Sequence, residues 1–197
     1  MNKLLIFTCF ALLFGCGSTT SIVNSWKDPD ATPEDARFSK ILVSVLSTNE
    51  SSRRIAEEHL ASINPIFVPS YSIIKEELAD DPDRLKTTLL EQGFDGILLL
   101  RLMDKDKNQT YVPGTNRGQR YWGRYGYYWD RYYEPGYYQE NTNYTIETSL
   151  YSLTKDKLLW SGTSTTVNPT SIEKTVNDIL KKSYKQMQKD GLIQSKS

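Results

Sequence analysis

Gly96-Ile97-Leu98-Leu99-Leu100-Arg101-Leu102 is the stretch of this 197-residue chain that decides its fold. Its apolar residues follow one another without the alternation that a half-exposed strand would show. A continuous apolar run of this kind predicts a strand that is covered on both faces, as in a parallel sheet. The neighbouring strands should therefore be joined to it through helices, by right-handed crossovers.

Two more short strands are predicted on the N-terminal side of this stretch. Ile41–Leu46 is apolar and rich in β-branched residues, and Ile66-Phe67-Val68 is closed by Pro69. A segment with helical periodicity follows each of them, so the first half of the chain alternates between strands and helices.

The first predicted helix covers residues 51–63, and its apolar stripe consists of Ile55, Ala56, Leu60 and Ile63. The charged side chains of this helix fall mostly outside the stripe, namely Arg53, Arg54, Glu57 and Glu58. The second helix begins at Asp81-Pro82, because aspartate caps a helix and proline suits its first turn. Gly93 is predicted to end it.

The C-terminal side predicts an antiparallel hairpin and a final helix. Residues 144–153 and 158–167 are rich in threonine and aliphatic side chains and flank a four-residue polar turn. Thr170 and Glu173 form a capping-box pattern before the last helix, and Gly191 ends it. The fold class is α/β, of the mixed α+β kind. We expect a single domain, with helices packed on a mixed sheet in the order β-α-β-α-β-β-β-α.

The N-terminus has the features of an export signal. Lys3 precedes an apolar run that ends in Leu13-Phe14-Gly15-Cys16, and this run is too short to span a bilayer. Residues 1–15 are therefore predicted to be a signal peptide. Because Cys16 directly follows the small residue Gly15, the segment resembles a bacterial lipoprotein signal. The alternative to a lipoprotein signal is the signal of an ordinary secreted protein that is cut nearby.

Four further segments are predicted from composition. Residues 16–39 are predicted to hold Cys16 and a tether or extended segment, in which residues 17–24 are small and polar. The α/β domain is predicted over residues 40–192 and the tail over 193–197. Within the domain, residues 111–143 are predicted to form a long loop rich in tyrosine and tryptophan.

Charge and cysteine content exclude several function classes. The chain has 24 basic and 24 acidic residues, so neither nucleic acid nor an anionic surface is indicated as a partner. Cys9 falls within the signal and Cys16 at its end, so the mature domain has no cysteine pair for a disulfide.

The aromatic loop is the strongest candidate for a binding site. Ten of the eighteen residues from 121 to 138 are tyrosine or tryptophan, and such side chains suit wet binding surfaces. Glycines and Pro135 argue against a regular helix. The candidate binding residues are Tyr121, Trp122, Arg124, Tyr125, Tyr128, Trp129, Arg131, Tyr132 and Tyr133. The loop could pack on its own domain, bind a protein partner or a second copy, or contact glycan or the lipid interface.

No catalytic, cofactor or metal site is predicted. His59 is the only histidine, and the chain contains no nucleophile elbow, phosphate loop or dinucleotide fingerprint. Residues 104–108 imitate the start of a calcium loop, but Gln109 and Thr115 occupy the positions of the required glycine and glutamate. A solvated loop is the better interpretation of that segment.

Several short segments resemble a family of bacterial envelope lipoproteins that is known only as a domain of unknown function. These segments are Ser25-Trp26-Lys27-Asp28-Pro29, Phe38-Ser39-Lys40-Ile41-Leu42-Val43, Arg53-Arg54-Ile55-Ala56-Glu57-Glu58, Gly93-Phe94-Asp95-Gly96-Ile97-Leu98 and Trp160-Ser161-Gly162. The implied architecture is similar to that of lipoproteins that activate penicillin-binding proteins and of the curli secretion lipoprotein. The resemblance implies acylation of Cys16, and with Gly17 and Ser18 it implies outer-membrane sorting with the domain in the periplasm.

Three functions remain open after the sequence analysis. The first is a non-enzymatic accessory module, anchored in the outer membrane, whose aromatic loop binds an envelope protein or peptidoglycan glycan. The second is a subunit of a multimeric envelope secretion or cell-wall assembly, so an oligomer is possible. The third is a cell-wall-turnover enzyme.

Overall fold

The computed structural model describes residues 19–74, 81–112 and 137–194. The elements, in chain order, are β1 (Thr19–Lys27), β2 (Ile41–Leu46), α1 (Glu50–Ile63), β3 (Phe67–Pro69), α2 (Pro82–Glu91), β4 (Gly96–Val112), β5 (Tyr137–Ser152), β6 (Lys157–Val167) and α3 (Ile172–Lys189). Over this part of the chain, three helices pack on one six-stranded sheet, which confirms the predicted fold class.

The sheet has the strand order β1-β6-β5-β4-β2-β3. Strand β2 pairs in parallel with both β3 and β4, whereas β4, β5, β6 and β1 pair antiparallel in succession. The apolar stretch that begins at Gly96 therefore lies inside the sheet, between β2 and β5. Its predicted cover on both faces is confirmed, because Leu98 and Leu100 pack into one hydrophobic cluster and Ile97 into the other.

The two clusters lie on opposite faces of the sheet. Helices α1 and α3 cover one face, where Leu60 and Ile179 are fully buried beside Val43 of β2. Helix α2 covers the other face, where Leu89 packs with Leu42. Adjacent residues of β2 point to opposite faces because the side-chain period of a strand is two residues.

The helix ends follow their local chemistry. Asp81 caps α2 by accepting a hydrogen bond from the backbone nitrogen of Arg84, and Pro82 occupies its first turn, as predicted. Gly93 and Gly191 have φ angles of 80° and 76°, which glycine adopts without steric cost. The capping residue of α3 is Ser171, one position after the predicted Thr170, and its side chain accepts from the backbone nitrogen of Lys174.

The segment predicted to be a tether or extended segment is a strand where the structure describes its first part. Residues 19–27 form β1, which pairs with β6 from Thr19 to Lys27 with an irregularity at Val23. Thr20 and Thr166 are both buried, and their hydroxyl oxygens form a hydrogen bond of 2.9 Å. The predicted element order, which begins with the strand Ile41–Leu46, lacks β1, because this polar strand is stabilised by pairing with distant residues rather than by its own apolar pattern.

The predicted apolar stripe of α1 is only half right. Ala56 and Leu60 are buried, but Ile55 and Ile63 are each 42% exposed. Glu57, predicted to lie outside the stripe, is fully buried. The packed face of α1 is therefore rotated toward Glu57, whose carboxylate has backbone and side-chain partners inside the protein.

Strands β4 and β5 are much longer than predicted. Residues 104–108, expected to form a solvated loop, belong to β4, and residues 137–143 of the expected aromatic loop belong to β5. Cross-strand backbone pairing holds them extended in spite of their polar composition. The predicted hairpin of β5 and β6 is confirmed, and Asp156 in its turn has a φ of 54°.

Candidate functional site

The predicted binding and lipidation residues lie outside the described part of the chain. These residues are Cys16, Tyr121, Trp122, Arg124, Tyr125, Tyr128, Trp129, Arg131, Tyr132 and Tyr133. Their proposed roles therefore remain predictions. The structure does define where the aromatic segment leaves and rejoins the sheet, because Val112 and Tyr137 are paired directly across β4 and β5.

The ends of β4 and β5 form a two-stranded extension that we call the arm, defined as residues 107–112 and 137–142. Its six cross-strand pairs run from Lys107 opposite Thr142 to Val112 opposite Tyr137. Strand β2 stops pairing with β4 at Arg101, and β6 stops pairing with β5 at Asn143. At about 3.3 Å per residue, the arm extends the sheet by about 20 Å.

Hydrogen bonds hold the base of the arm. Asn168 has a φ of 49°, accepts from the backbone nitrogen of Thr142 through Oδ1, and donates to Asn141 through Nδ2. Farther out, Gln109 Nε2 donates to Glu140 Oε1 at 2.6 Å. None of the described arm side chains belongs to either hydrophobic cluster. A two-stranded ribbon without a packed face is only marginally stable in water, so the arm is costly as a purely structural feature.

A cavity of about 530 Å³, which we call the basal cavity, lies between strands β2, β4 and β5 and the N-terminal ends of α1 and α3. Asn49 and Ser171, the capping residues of the two helices, both line it. Leu46, the last residue of β2, also lines it, so the cavity lies at the carboxyl end of a parallel strand. Ligand sites of open α/β sheets favour this position.

The basal cavity has an apolar interior and a polar rim. Its interior surface includes Val45, Ala56, Leu100, Ile146, Val176 and Ile179. At the rim, the Lys105 ammonium lies 5.2 Å from the centre of the Tyr144 ring, directly across the two strands. The sequence analysis missed this cavity, because its walls come from five elements that are distant in sequence.

Glu57 is a second feature that the sequence analysis missed. Its Oε1 accepts hydrogen bonds from the backbone nitrogen of Val45 at 2.9 Å, from Arg53 Nε at 3.2 Å and from Ser70 Oγ at 2.8 Å. Its Oε2 accepts from the backbone nitrogen of Tyr71 at 3.0 Å. The carboxylate therefore joins β2, α1 and the short 3-10 turn Ser70–Ser72. The Arg53–Glu57 spacing of four residues was the available signal, but such pairs usually lie on the surface.

Ion pairs fasten the segment between β1 and β2 to the turn between β5 and β6. Lys157 Nζ lies 2.5 Å from Asp28 Oδ2, and Lys155 pairs with Asp35. The hydrogen bond from Lys155, and a second one from the backbone of Thr32, lower the pKa of Asp35 to about 2. Lys157 and the backbone of Asp30 likewise hold the pKa of Asp28 below its usual value.

The described residues include no group of three or more histidine, cysteine, aspartate or glutamate side chains that could hold a metal ion. Residues 104–108 lie in an extended strand, whose side chains alternate between two faces and so do not converge as a calcium loop requires. His59 is half-buried, and its Nε2 has no hydrogen-bond partner within the described part of the chain.

None of the helices in the described ranges is long and apolar enough to cross a membrane. Protein-family models and curated proteins give no match to this chain. Among solved structures, the PelC dodecamer from Paraburkholderia phytofirmans is similar, with 12% identity over 91% of this chain and 99% of that chain and a TM-score of 0.42. The lipoprotein GNA1162 from Neisseria meningitidis has 12% identity over 77% of this chain and 99% of that chain, with a TM-score of 0.41. These low values carry no functional conclusion, so the function has to be inferred from the residues of this chain.

Proposed function

We propose that this chain is a non-enzymatic accessory lipoprotein of the bacterial outer membrane. In this proposal Cys16 carries the lipid anchor, the domain faces the periplasm, and the aromatic segment binds an envelope protein or peptidoglycan glycan. The observation that carries the binding role is the arm. It extends beyond the other strands of the sheet, its described side chains lie outside both hydrophobic clusters, and the 24 residues from 113 to 136 connect its two strands.

The composition of the connecting segment fits a binding role. It contains Trp122 and Trp129, and two of its four arginines, Arg124 and Arg131, can stack on neighbouring rings. Tyrosine and tryptophan combine an apolar ring with a polar tip, so they suit wet binding surfaces.

The pairing of Val112 with Tyr137 gives a precise way to test the arm. Because these residues face each other, residues 113–136 can be replaced by Asn-Gly, the two-residue turn that matches the twist of antiparallel strands. We expect the full-length variant to keep its far-ultraviolet circular dichroism and unfolding midpoint, but to lose co-sedimentation with purified peptidoglycan sacculi.

A matched variant separates the aromatic rings from the length of the segment. Trp122→Ser with Trp129→Ser keeps all residues of the chain and should also weaken pelleting. If wild type pellets and both variants pellet equally well, the aromatic segment is not the binding element. If wild type does not pellet, photo-crosslinking from residue 129 in intact cells tests for a protein partner. Absence of any loop-dependent crosslink would then reject the proposed role.

A specific observation also supports the second candidate, a subunit of a multimeric envelope assembly. Strand β1 is nine residues long and lies at the edge of the sheet, with Val23 63% exposed and Trp26 49% exposed. Lys27, its last residue, is its only charged residue, and an edge strand with so little charge is a ready template for pairing with another chain. Light scattering on the full-length protein in nanodiscs should give a discrete oligomer that Val23→Lys dissociates, whereas Tyr184→Lys on α3 serves as the control.

A further inference from the structure

The basal cavity has the dimensions of a small-molecule site. Its volume of about 530 Å³ falls within the ~300–1,000 Å³ that such sites occupy. Ala56, Leu100, Val176 and Ile179, which form its floor, are each at most 6% exposed. These side chains belong to two helices and a strand of the main hydrophobic cluster, so the apolar end of the cavity is built on rigid elements.

The mouth of the cavity leaves apolar surface in contact with water. Leu46 and Leu102 both line it, and they are 48% and 43% exposed. With the half-buried Val45, Ile146 and Ile172 they form a continuous apolar groove that is open to solvent. A hydrocarbon chain lying along this groove would bury surface that is otherwise in water, which is favourable at about 25 cal/mol per Å².

The charge at the rim of the cavity indicates the chemistry of the ligand's headgroup. Lys105 is the only charged residue among the described residues that line it, and no carboxylate forms a salt bridge with Lys105 in the described part of the chain. Its ammonium lies over the Tyr144 ring at the rim, 5.2 Å from the ring centre. The positive ends of the dipoles of α1 and α3 also lie at the cavity and favour an anion, but the charge argument rests on Lys105.

We propose that the basal cavity binds a single-chain lipid with an anionic headgroup, whose hydrocarbon chain lies along the apolar groove and whose headgroup pairs with Lys105. The ligand is bound non-covalently, and the described residues that line its site are not part of the aromatic segment. A protein that is anchored at a membrane meets such lipids at the surface to which it is attached.

The test uses the full-length chain in phosphatidylcholine nanodiscs, with myristate that carries a photoreactive diazirine. Crosslinked peptides are mapped by mass spectrometry and are expected within residues 45–56 and 169–179. Unlabelled myristate should compete. Monomyristoylglycerol, which has the same chain without a charge, should compete about tenfold less well, because a charge-assisted contact is lost. Inorganic phosphate, which has no chain, should not compete.

Two variants locate the headgroup and the chain. Lys105→Gln should remove the advantage of myristate over monomyristoylglycerol, whereas Lys107→Gln, the same change two residues along β4 and outside the lining, should preserve it. Ser52→Phe fills the cavity from the first turn of α1 and should abolish labelling by both lipids. The backbone nitrogen of Ser52, which Asn49 caps, is unchanged by this substitution.

Three results would overturn the proposal. They are crosslinks only outside the cavity, equal competition by the charged and uncharged lipids, or a Lys105→Gln variant that behaves like Lys107→Gln. Lys105 is exposed on a strand, so its replacement tests the proposal even if Ser52→Phe fails to fold.

Discussion

The indole nitrogen of Trp160 donates a hydrogen bond of 2.8 Å to Oδ2 of Asp190, and this contact joins the middle of the sheet to the end of the last helix. Trp160 is fully buried, and Asp190 also accepts from Gln186 Nε2 at 2.9 Å through its other oxygen. The polar edge of the largest buried side chain is thus satisfied by the residue that follows α3.

Replacing Asp190 should therefore destabilise the fold through Trp160. Asp190→Leu leaves the buried N–H without a partner, which costs about 1–3 kcal/mol of unfolding free energy. Asp190→Asn keeps an oxygen acceptor and should cost about 1 kcal/mol or less. Urea unfolding followed by tryptophan fluorescence measures both variants. Equal losses in the two would show that the hydrogen bond is not the source of the stability.

The Trp160 side chain also requires a glycine at position 162. A Cβ atom at this position would lie 2.2 Å from the Trp160 ring, so Gly162→Ala must displace the indole. We expect a loss of about 1–3 kcal/mol in unfolding free energy, which is typical of an overpacked core. Gly162→Ala should also change the near-ultraviolet circular dichroism, which reports on the indole. A variant as stable as wild type would contradict this packing.

The buried Glu57 carboxylate predicts a large loss when it is removed. Glu57→Ala should lower the unfolding free energy by about 3 kcal/mol, the lower end for a buried charge pair, because Arg53 keeps some contact with water. The neighbouring Glu58, whose carboxylate is exposed and accepts from the Tyr71 hydroxyl, is the matched control. Glu58→Ala should cost less than about 1 kcal/mol. Chemical denaturation measures both, and similar losses would reject the special role of Glu57.

The lowered pKa of Asp35 predicts an acid-sensitive contribution to stability. Because the pKa is about 2 in the folded protein and 3.8 in the reference state, the unfolded chain binds more protons between these values. Stability should therefore be complete above pH 4 and fall as the pH decreases toward 2. Asp35→Asn should flatten this part of the pH–stability curve. An unaltered slope in Asp35→Asn would show that Asp35 does not contribute.

Local patterns were sufficient where a residue's neighbours in sequence decide its environment. The apolar run of β2, the Asp81-Pro82 start of α2 and the polar turn around Asp156 were all predictable. In each case the periodicity, the capping side chain or the turn chemistry acts over a few residues. The aromatic segment was recognisable as unusual for the same reason, although its role stays a prediction.

Long-range pairing decided the features that were mispredicted. The pattern of β1 is polar, and its partner β6 lies more than a hundred residues away. Residues 104–108 resemble a loop, but cross-strand bonds to β5 hold them extended. Helical periodicity assigned Glu57 to the surface, because the groups that satisfy it come from β2 and from the turn at Ser70.

The sequence by itself determined the fold class, the elements with strong local signals and the presence of a segment dense in tyrosine and tryptophan. Only the tertiary structure decided that this segment is connected to a two-stranded arm, and that a cavity with Lys105 at its rim lies at the base of that arm. The physical reason is that hydrophobic periodicity reports which face of an element is buried. It does not report which distant element pairs with it or how much space is left between them.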